Sequence, residues 1–362
     1  MSKLINRRNF VKGSATSTLA AAAMLHPHVA HAQAGQRIRV GQIGTAHSHA
    51  AGKLATVREL SQTYELVGVV EPDPVLRAAA AKNKAYDGVS WMTEDELLGT
   101  DGLQCVTVET DIPELVPTGQ RCVDAGMHIH LDKPAGESLA ALRRLHTAAS
   151  ESGRCVQMGY MFRYNPAFQL THDAITKGWL GDVFEIHGVM SKKVDQESRD
   201  VLRKLPGGTM YELGCHLVDA LVWMLGKPTK TIPFIRNTLD DDLADNMIVM
   251  CEYPRATATI RSSVVEPYGQ RRRQFTVVGT EGVAEIRPLE PPSVVLSLDQ
   301  NSGPYKRGVH QPEMPPRRGR YDGDLLDLAA VIRGEKEFQF SHEHDLAAHE
   351  TILRASGMSV DT

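Results

Sequence analysis

The chain has 362 residues, a length that suggests two domains with room for a third. Hydrophobic residues make up 42% and charged residues 23%, and 40 basic against 44 acidic side chains leave a net charge of −4. These values exclude a disordered chain, a fibre and a general nucleic-acid binder, and five cysteines are too few for a disulfide scaffold.

The first 32 residues stand apart. They carry Lys3, Arg7, Arg8 and Lys12 and no acid, then a mild apolar run over 15–25, then small residues at Ala30-His31-Ala32. That order marks an export signal. Asn6-Arg7-Arg8-Asn9-Phe10-Val11-Lys12 resembles the twin-arginine motif, with Asn for its usual Ser and Val for its usual Leu. The resemblance implies the twin-arginine export machinery as a partner, the periplasm as destination, and a chain folded before export with any cofactor in place. Beyond this segment no run approaches the roughly 18 apolar residues of a membrane span. Setting the four cations aside moves the net charge of the remainder to about −8 and keeps all five cysteines, expected as buried free thiols.

Residues 37–43 read as a strand ending at Gly44, 50–63 as a helix, 64–70 as a strand ending at Glu71, and 78–84 as an alanine-rich helix. Then come a strand at 104–108, a helix at 117–125, a strand at 127–131 running into Asp132-Lys133-Pro134, a helix at 139–150 and a strand at 155–158. This alternation predicts an α/β fold, a Rossmann-type doubly wound parallel sheet over residues 36–156. Ligands of such sheets bind at the carboxyl ends of the strands, which points to 44–49, Glu71, 109–113 and 132–134.

The first of these stretches is where a G-x-G-x-x-G dinucleotide turn belongs. The chain offers Gly44-Thr45-Ala46-His47-Ser48-His49, which keeps only the first glycine. Gly44, Thr45, Ala46 and His47 are candidate cofactor contacts, with Thr110 and Asp132 on neighbouring strand ends. Glu71 can accept hydrogen bonds from ribose hydroxyls and would repel a 2′-phosphate, so NAD is expected over NADP.

The second half reads differently. Strands are expected at 183–190, 247–252, 257–264, 274–278, 283–286 and 294–298, with Gly279-Thr280-Glu281-Gly282 as a hairpin turn. They predict an α+β domain over 157–340 with a largely antiparallel open sheet. Residues 207–226 read as a helix that puts Glu212, His216 and Asp219 on one polar face and Leu213, Leu217, Leu221 and Leu225 on an apolar stripe. A Pro-, Gly- and Arg-rich loop at 299–321 and helices at 324–333 and 343–357 follow, the last within a C-terminal segment, 341–362.

Three segments carry a family resemblance. The stretch 125–134, ending Asp132-Lys133-Pro134, resembles the segment ending in Glu-Lys-Pro of the glucose–fructose oxidoreductase / inositol dehydrogenase (Gfo/Idh/MocA) family. Arg163-Tyr164-Asn165-Pro166 is similar to its Arg-Tyr/Phe-Asn-Pro signature, and 207–219 to its Gly-Gly…Asp-x-x-x-His-x-x-Asp segment. The resemblance spans essentially the whole mature chain and implies Lys133, Glu212 and His216 as the catalytic set. A histidine can take a hydroxyl proton near neutral pH, a lysine can stabilise the charge developing on the same oxygen, and Glu212 can orient the imidazole. Tyr160, Arg163 and Asn165 are implied as substrate contacts, Arg163 also as a cofactor contact, together with a cis bond before Pro134 and a homo-oligomer, dimer or tetramer. The chain departs from the family pattern in its glycine turn, in Asp132 for Glu and in Glu212 for Asp.

No metal site is expected: the His47/His49 and His128/His130 pairs lack a Cys or acid at the usual spacing. The arginine runs at 271–273 and 317–320 read as solvated loop charge. The leading reading is a periplasmic NAD-dependent oxidoreductase acting on a secondary hydroxyl of a sugar, cyclitol or glycoside, its cofactor bound and recycled in place. Two alternatives stand beside it. One is a redox-neutral NAD-dependent glycosidase or lyase working through a transient keto-sugar. The other is a non-catalytic sugar- or partner-binding protein, which the degraded glycine turn favours.

Overall fold

The computed structural model describes residues 36–315 and 319–361; the expected export signal and Arg317-Arg318 lie outside them. Six strands build the first sheet: β1 (Ile38–Ile43), β2 (Tyr64–Val70), β3 (Trp91–Met92), β4 (Cys105–Val108), β5 (His128–Leu131) and β6 (Val156–Met158). They are all parallel, in the order β3-β2-β1-β4-β5-β6. Their helices are α1 (Ala50–Glu59), α2 (Pro74–Ala80), α3 (Glu94–Leu98), α4 (Ile112–Asp124) and α5 (Leu139–Glu151). The order changes direction at β1, which lies between β2 and β4, so the crevice for a ligand opens at the carboxyl ends of those strands.

Local chemistry explains where the elements depart from expectation. Helix α2 starts at Pro74 rather than 78 because Asp73 caps it, accepting from the Val75 and Leu76 N–H groups. Helix α4 starts at Ile112, not 117: Pro113 fills the second helical position, where no N–H partner is needed, and Pro117 is carried inside the helix. The unforeseen α3 opens on a full capping box between Thr93 and Glu96.

The second sheet holds β7 (Val183–Ser191), β8 (Lys230–Arg236), β9 (Asn246–Glu252), β10 (Thr257–Ser263), β11 (Gln274–Gly279), β12 (Gly282–Ile286), β13 (Val294–Leu298) and β14 (Gly308–His310). Their order is β14-β13-β12-β11-β7-β10-β9-β8, with β7 and β10 parallel and every other pair antiparallel. Strand β8 contains Pro233, which hid it in the sequence; a proline is tolerated there because β8 is an edge. The remaining helices are α6 (Pro166–Thr176), α7 (Gln196–Leu202), α8 (Cys215–Leu225), α9 (Asp322–Ile332) and α10 (His342–Ala355). The expected helix over 207–226 is split: a wider π turn, Met210–Gly214, precedes α8.

One continuous core runs from the first sheet into the second through Phe162, Phe168, Leu217 and Phe275. Helix α9 returns to the first sheet, where Leu325, Leu328 and Ile332 pack with Ile38, Val40 and Tyr64. Helix α10 packs on α8 and α5. All five cysteines are buried and free. The 271–273 run is partly built in rather than solvated, since Arg272 pairs with Glu266 and Arg273 donates to the Ser191 carbonyl.

Two buried histidines, His146 on α5 and His349 on α10, carry a pH consequence. Burial pushes His146 down to about 3 and His349 down to about 4. The unfolded chain protonates them near pH 6.5, so stability is independent of them above that pH and declines as pH falls from about 6.5 toward 4. Each contributes up to about 1.4 kcal/mol per pH unit in that window. Tm should therefore drop between pH 6.5 and 5, and His349→Gln should flatten the drop; an unchanged Tm over that range would contradict the assignment.

Candidate active site

Strand β1 ends on Gly44, whose φ of +90° suits glycine; a Cβ there would lie 2.5 Å from the Thr110 nitrogen at the end of β4. The surviving glycine is thus the one the turn requires. Beyond it, Thr45 donates from its backbone N–H and its hydroxyl to Glu71 Oε2, at 2.8 and 2.7 Å. Glu71 closes β2 and faces the turn, and its Oε1 accepts from the Asp73 N–H at 3.1 Å. Helix α1 begins without a side-chain cap and without an acid in its first turn, so its positive end is open to a phosphate. Glycine turn, open helix end and strand-end carboxylate fit a dinucleotide: the first turn of α1 would hold its pyrophosphate and Glu71 would accept from a ribose hydroxyl.

Beneath this turn lies a buried ion cluster. Asp132, fully shielded, receives Lys53 Nζ at 2.6 Å on Oδ2 and the Lys133 N–H at 2.7 Å on Oδ1. Lys53 also lies 3.1 Å from Glu109. Burial opposes the charge on Lys53, but Asp132 and Glu109 outweigh it and hold the ammonium above its usual range. Burial likewise opposes ionisation of Asp132, yet His47, Lys53 and His49 keep it well below the usual carboxylate range. In Glu109 burial wins over Lys53, and the carboxyl is raised. Burial pushes His49 down to about 4, with Asp132 opposing.

Lys133 follows Asp132 and precedes the cis bond to Pro134 that the resemblance implied. Its Nζ donates to the Glu212 carbonyl at 2.8 Å and lies 3.5 Å from Glu212 Oε1. Burial works against Lys133 and Glu212 alike, but each holds the other charged: the lysine is raised, the carboxyl lowered. His216, on the first turn of α8, is buried, and its Nδ1 has no hydrogen-bond partner. Burial pushes the imidazole well below its usual value, and Lys133 is the charge that adds most to that. Ala46, His47, Ser48, Asp111, Lys192 and Glu212 line a cleft of ≈ 380 Å³.

Several expected roles change. Glu212 makes no hydrogen bond to His216; its carboxylate and its backbone carbonyl meet the Lys133 ammonium instead. Arg163 is entirely buried, and its Nη2 is bound to Asp219 and Asp345 at 2.6 Å each while Nη1 has no hydrogen-bond partner. Asp219 is thereby part of an internal ion network, joined also by His344 at 3.3 Å. Asn165 caps α6 and donates to the Leu289 carbonyl, a structural rather than substrate-facing position. Tyr160 is buried and stands edge-on to His216, ring centres 6.3 Å apart. His128 and His130 do not converge, because His130 turns to Gln157 at 2.8 Å while His128 accepts from the Cys155 N–H. For His47/His49 the spacing argument fails too: Asp132, 83 residues beyond His49, brings a carboxylate to the pair.

Lys53 and Tyr321 are site residues that the sequence reading does not reach, and Glu109, within the strand-end stretch 109–113, gains a role it was not given there. Tyr321 packs 5.8 Å from His49 and under Lys53. A signal for Lys53 existed: it follows His49 by four residues, which puts both on one face of α1.

A parallel dinucleotide-type sheet joined to an open-sheet domain, with lysine, glutamate and histidine between them, defines a class of nicotinamide-dependent oxidoreductases. Residues 38–160 match the family model described as an oxidoreductase family with an NAD-binding Rossmann fold, and residues 168–285 match the GFO/IDH/MocA C-terminal domain. The chain belongs to the Gfo/Idh/MocA family of NAD(P)-dependent oxidoreductases. It is 28% identical over 185 residues to an uncharacterized oxidoreductase of Rhizobium meliloti, a match spanning 51% of this chain and about half (54%) of that protein. It is 23% identical over 251 residues to the D-xylose 1-dehydrogenase (NADP(+)) 2 of Haloferax volcanii, covering 68% of this chain and 75% of that one. The fold is shared with an aldose-aldose oxidoreductase of Caulobacter crescentus at a TM-score of 0.74 and 18% identity, over 89% of this chain and 98% of that one.

Because Arg163 neutralises two buried carboxylates, Arg163→Ala should lower stability by about 3–5 kcal/mol. The dinucleotide affinity of the protein that still folds should be unchanged. Unfolding in urea alongside calorimetry checks both; a stable variant with weakened nucleotide binding would restore Arg163 to the cofactor site.

Proposed function

We propose that the protein is an exported, NAD-dependent oxidoreductase that oxidises a secondary hydroxyl of a sugar, cyclitol or glycoside. The observation that carries this reading is the pairing of the Lys133 ammonium, anchored on Glu212, with a buried His216 whose Nδ1 has no hydrogen-bond partner. In this arrangement Lys133 donates a hydrogen bond to the substrate oxygen and stabilises its developing charge. His216 Nδ1 takes the hydroxyl proton. Glu212 keeps the ammonium charged and aimed. A bound nicotinamide supplies the hydride acceptor, and the alcohol leaves as a ketone. The burial of Lys133 and His216 keeps bulk water from competing for the proton.

NAD is preferred over NADP in this proposal, because Glu71 stands where a 2′-phosphate would meet a carboxylate. The NADP-dependent xylose relative makes that choice a matter for direct test. Relatives of dehydrogenase type favour hydride transfer over the glycosidase, lyase and non-catalytic readings. Export rests on the basic, apolar and small-residue order of residues 1–32. A periplasmic enzyme without a supply of free cofactor would keep its NAD bound and recycle it. A homo-oligomer is supported by the outer face of the second sheet, where Phe234, Ile248 and Met250 are 49%, 41% and 43% exposed.

Calorimetry on the wild-type chain should show tighter binding of NAD than NADP, with Glu71→Ala narrowing the difference; tighter NADP binding would overturn the cofactor choice. Lys133→Ala and His216→Ala should each lower kcat/KM by about 100-fold or more while NAD affinity persists. Turnover unaffected by either change would refute the site. Light scattering should report a dimer or larger, and Phe234→Glu with Ile248→Glu should dissociate it; a wild-type monomer would end the oligomer proposal.

A further inference from the structure

His47, His49 and Asp132 hold a contact that hydrogen bonding among them leaves unresolved. His47 Nε2 lies 3.1 Å from the Lys133 carbonyl, which can only accept, so this nitrogen carries a hydrogen. His47 Nδ1 accepts from the His49 backbone N–H at 3.3 Å, so the lone pair sits on Nδ1. That lone pair faces Asp132 Oδ2 at 3.0 Å. The 3.0 Å contact is favourable with a positive species at it, either a proton on Nδ1 or a metal ion bound by both atoms.

We propose that His47 Nδ1, His49 Nδ1 and Asp132 Oδ2 form a binding site for a divalent first-row transition metal of the zinc class, set in the wall of the active-site cleft. These donor atoms all lie within 4.8 Å of one another. His49 Nδ1 is 3.3 Å from the same Asp132 oxygen. A ring N–H given to a backbone carbonyl is the usual support of a metal-bound histidine, since it fixes the tautomer that leaves the other nitrogen free. Two imidazoles and one carboxylate are a donor set for zinc, iron, cobalt or nickel, and three protein ligands leave a position for a water or substrate oxygen.

An independent observation comes from Glu109. It is wholly buried and takes an ion-pair contact from Lys53 at 3.1 Å on Oε1. Its Oε2 is 3.9 Å from His47 Nδ1, which places a second carboxylate beside the same donors. His47 also lines the cleft that Glu212 lines, and the His49 and His216 rings are 6.3 Å apart. A cation here would sit next to the residues assigned to proton and oxygen handling. Lys53 is the competitor, because its ammonium occupies Asp132 Oδ2 at 2.6 Å. The rival resolution is a proton in place of the metal, with His47 as an imidazolium.

Untagged full-length protein, purified without chelator, stripped with EDTA and titrated with cobalt(II), separates the two. The proposal predicts one cobalt per chain with a visible ligand-field spectrum, displaced by zinc(II). Binding should weaken at least tenfold in His49→Gln and in His47→Gln, and strengthen in Lys53→Met. His49→Gln leaves the Lys53–Asp132 pair in place and should fold, as circular dichroism would verify. Cobalt or zinc binding no tighter to the wild type than to the double His47→Gln/His49→Gln variant overturns the proposal. So does nitrogen NMR showing both His47 ring nitrogens protonated in saturating zinc. The readouts are binding and spectra, so failure here would leave the oxidoreductase reading standing.

Discussion

Asp132 takes the Lys53 ammonium on one oxygen and the backbone N–H of Lys133 on the other, entirely out of contact with water. A carboxylate so placed is tolerable only while its partners remain, and removing one would strand a buried charge. The pairing has three geometric effects. It ties α1 to the end of β5, it brings Glu109 at the end of β4 into the same cluster, and it fixes the backbone from which Lys133 projects. Helix α1, which follows the glycine turn, and the backbone of Lys133 are held by the same carboxylate.

A second buried network performs the equivalent task for the other half. Arg163, just beyond the first sheet, binds Asp219 on α8 and Asp345 on α10. Since α8 carries His216 on its first turn, the imidazole is held relative to the first sheet by an ion triad rather than by apolar packing alone. Lys133 then meets Glu212 between the two networks. Side chains locked by their own partners in this way are pre-organised, and little rearrangement remains to be made during reaction.

Much of this was legible in the sequence. The short apolar strands, their alternation with helices and the Gly279–Gly282 turn predicted both sheets, and the segments that carry Lys133 and Glu212 meet. What escaped has physical reasons. The polar face expected for Glu212, His216 and Asp219 is divided among partners from distant parts of the chain, Glu212 meeting Lys133 and Asp219 meeting Arg163 and His344, which spacing along one helix does not reveal. Arg163 and Asn165 sit in a family signature, but a signature does not say which partners a side chain meets; here these are Asp219 and Asp345 for Arg163 and the Leu289 carbonyl for Asn165. Strand β8 was masked by Pro233, and the third member of the histidine cluster lay far along the chain, where spacing rules do not reach.

The account stands on hydride leaving a ring carbon for a nicotinamide held over Gly44. The most direct test supplies the NAD-loaded protein with candidate sugars and cyclitols deuterated at their ring carbons, then recovers the nicotinamide after one turnover for mass analysis. Deuterium at the nicotinamide ring from at least one of these compounds is the predicted result, whether or not net NADH accumulates. A protein that binds NAD and converts such a compound without any deuterium reaching the nicotinamide would contradict the account.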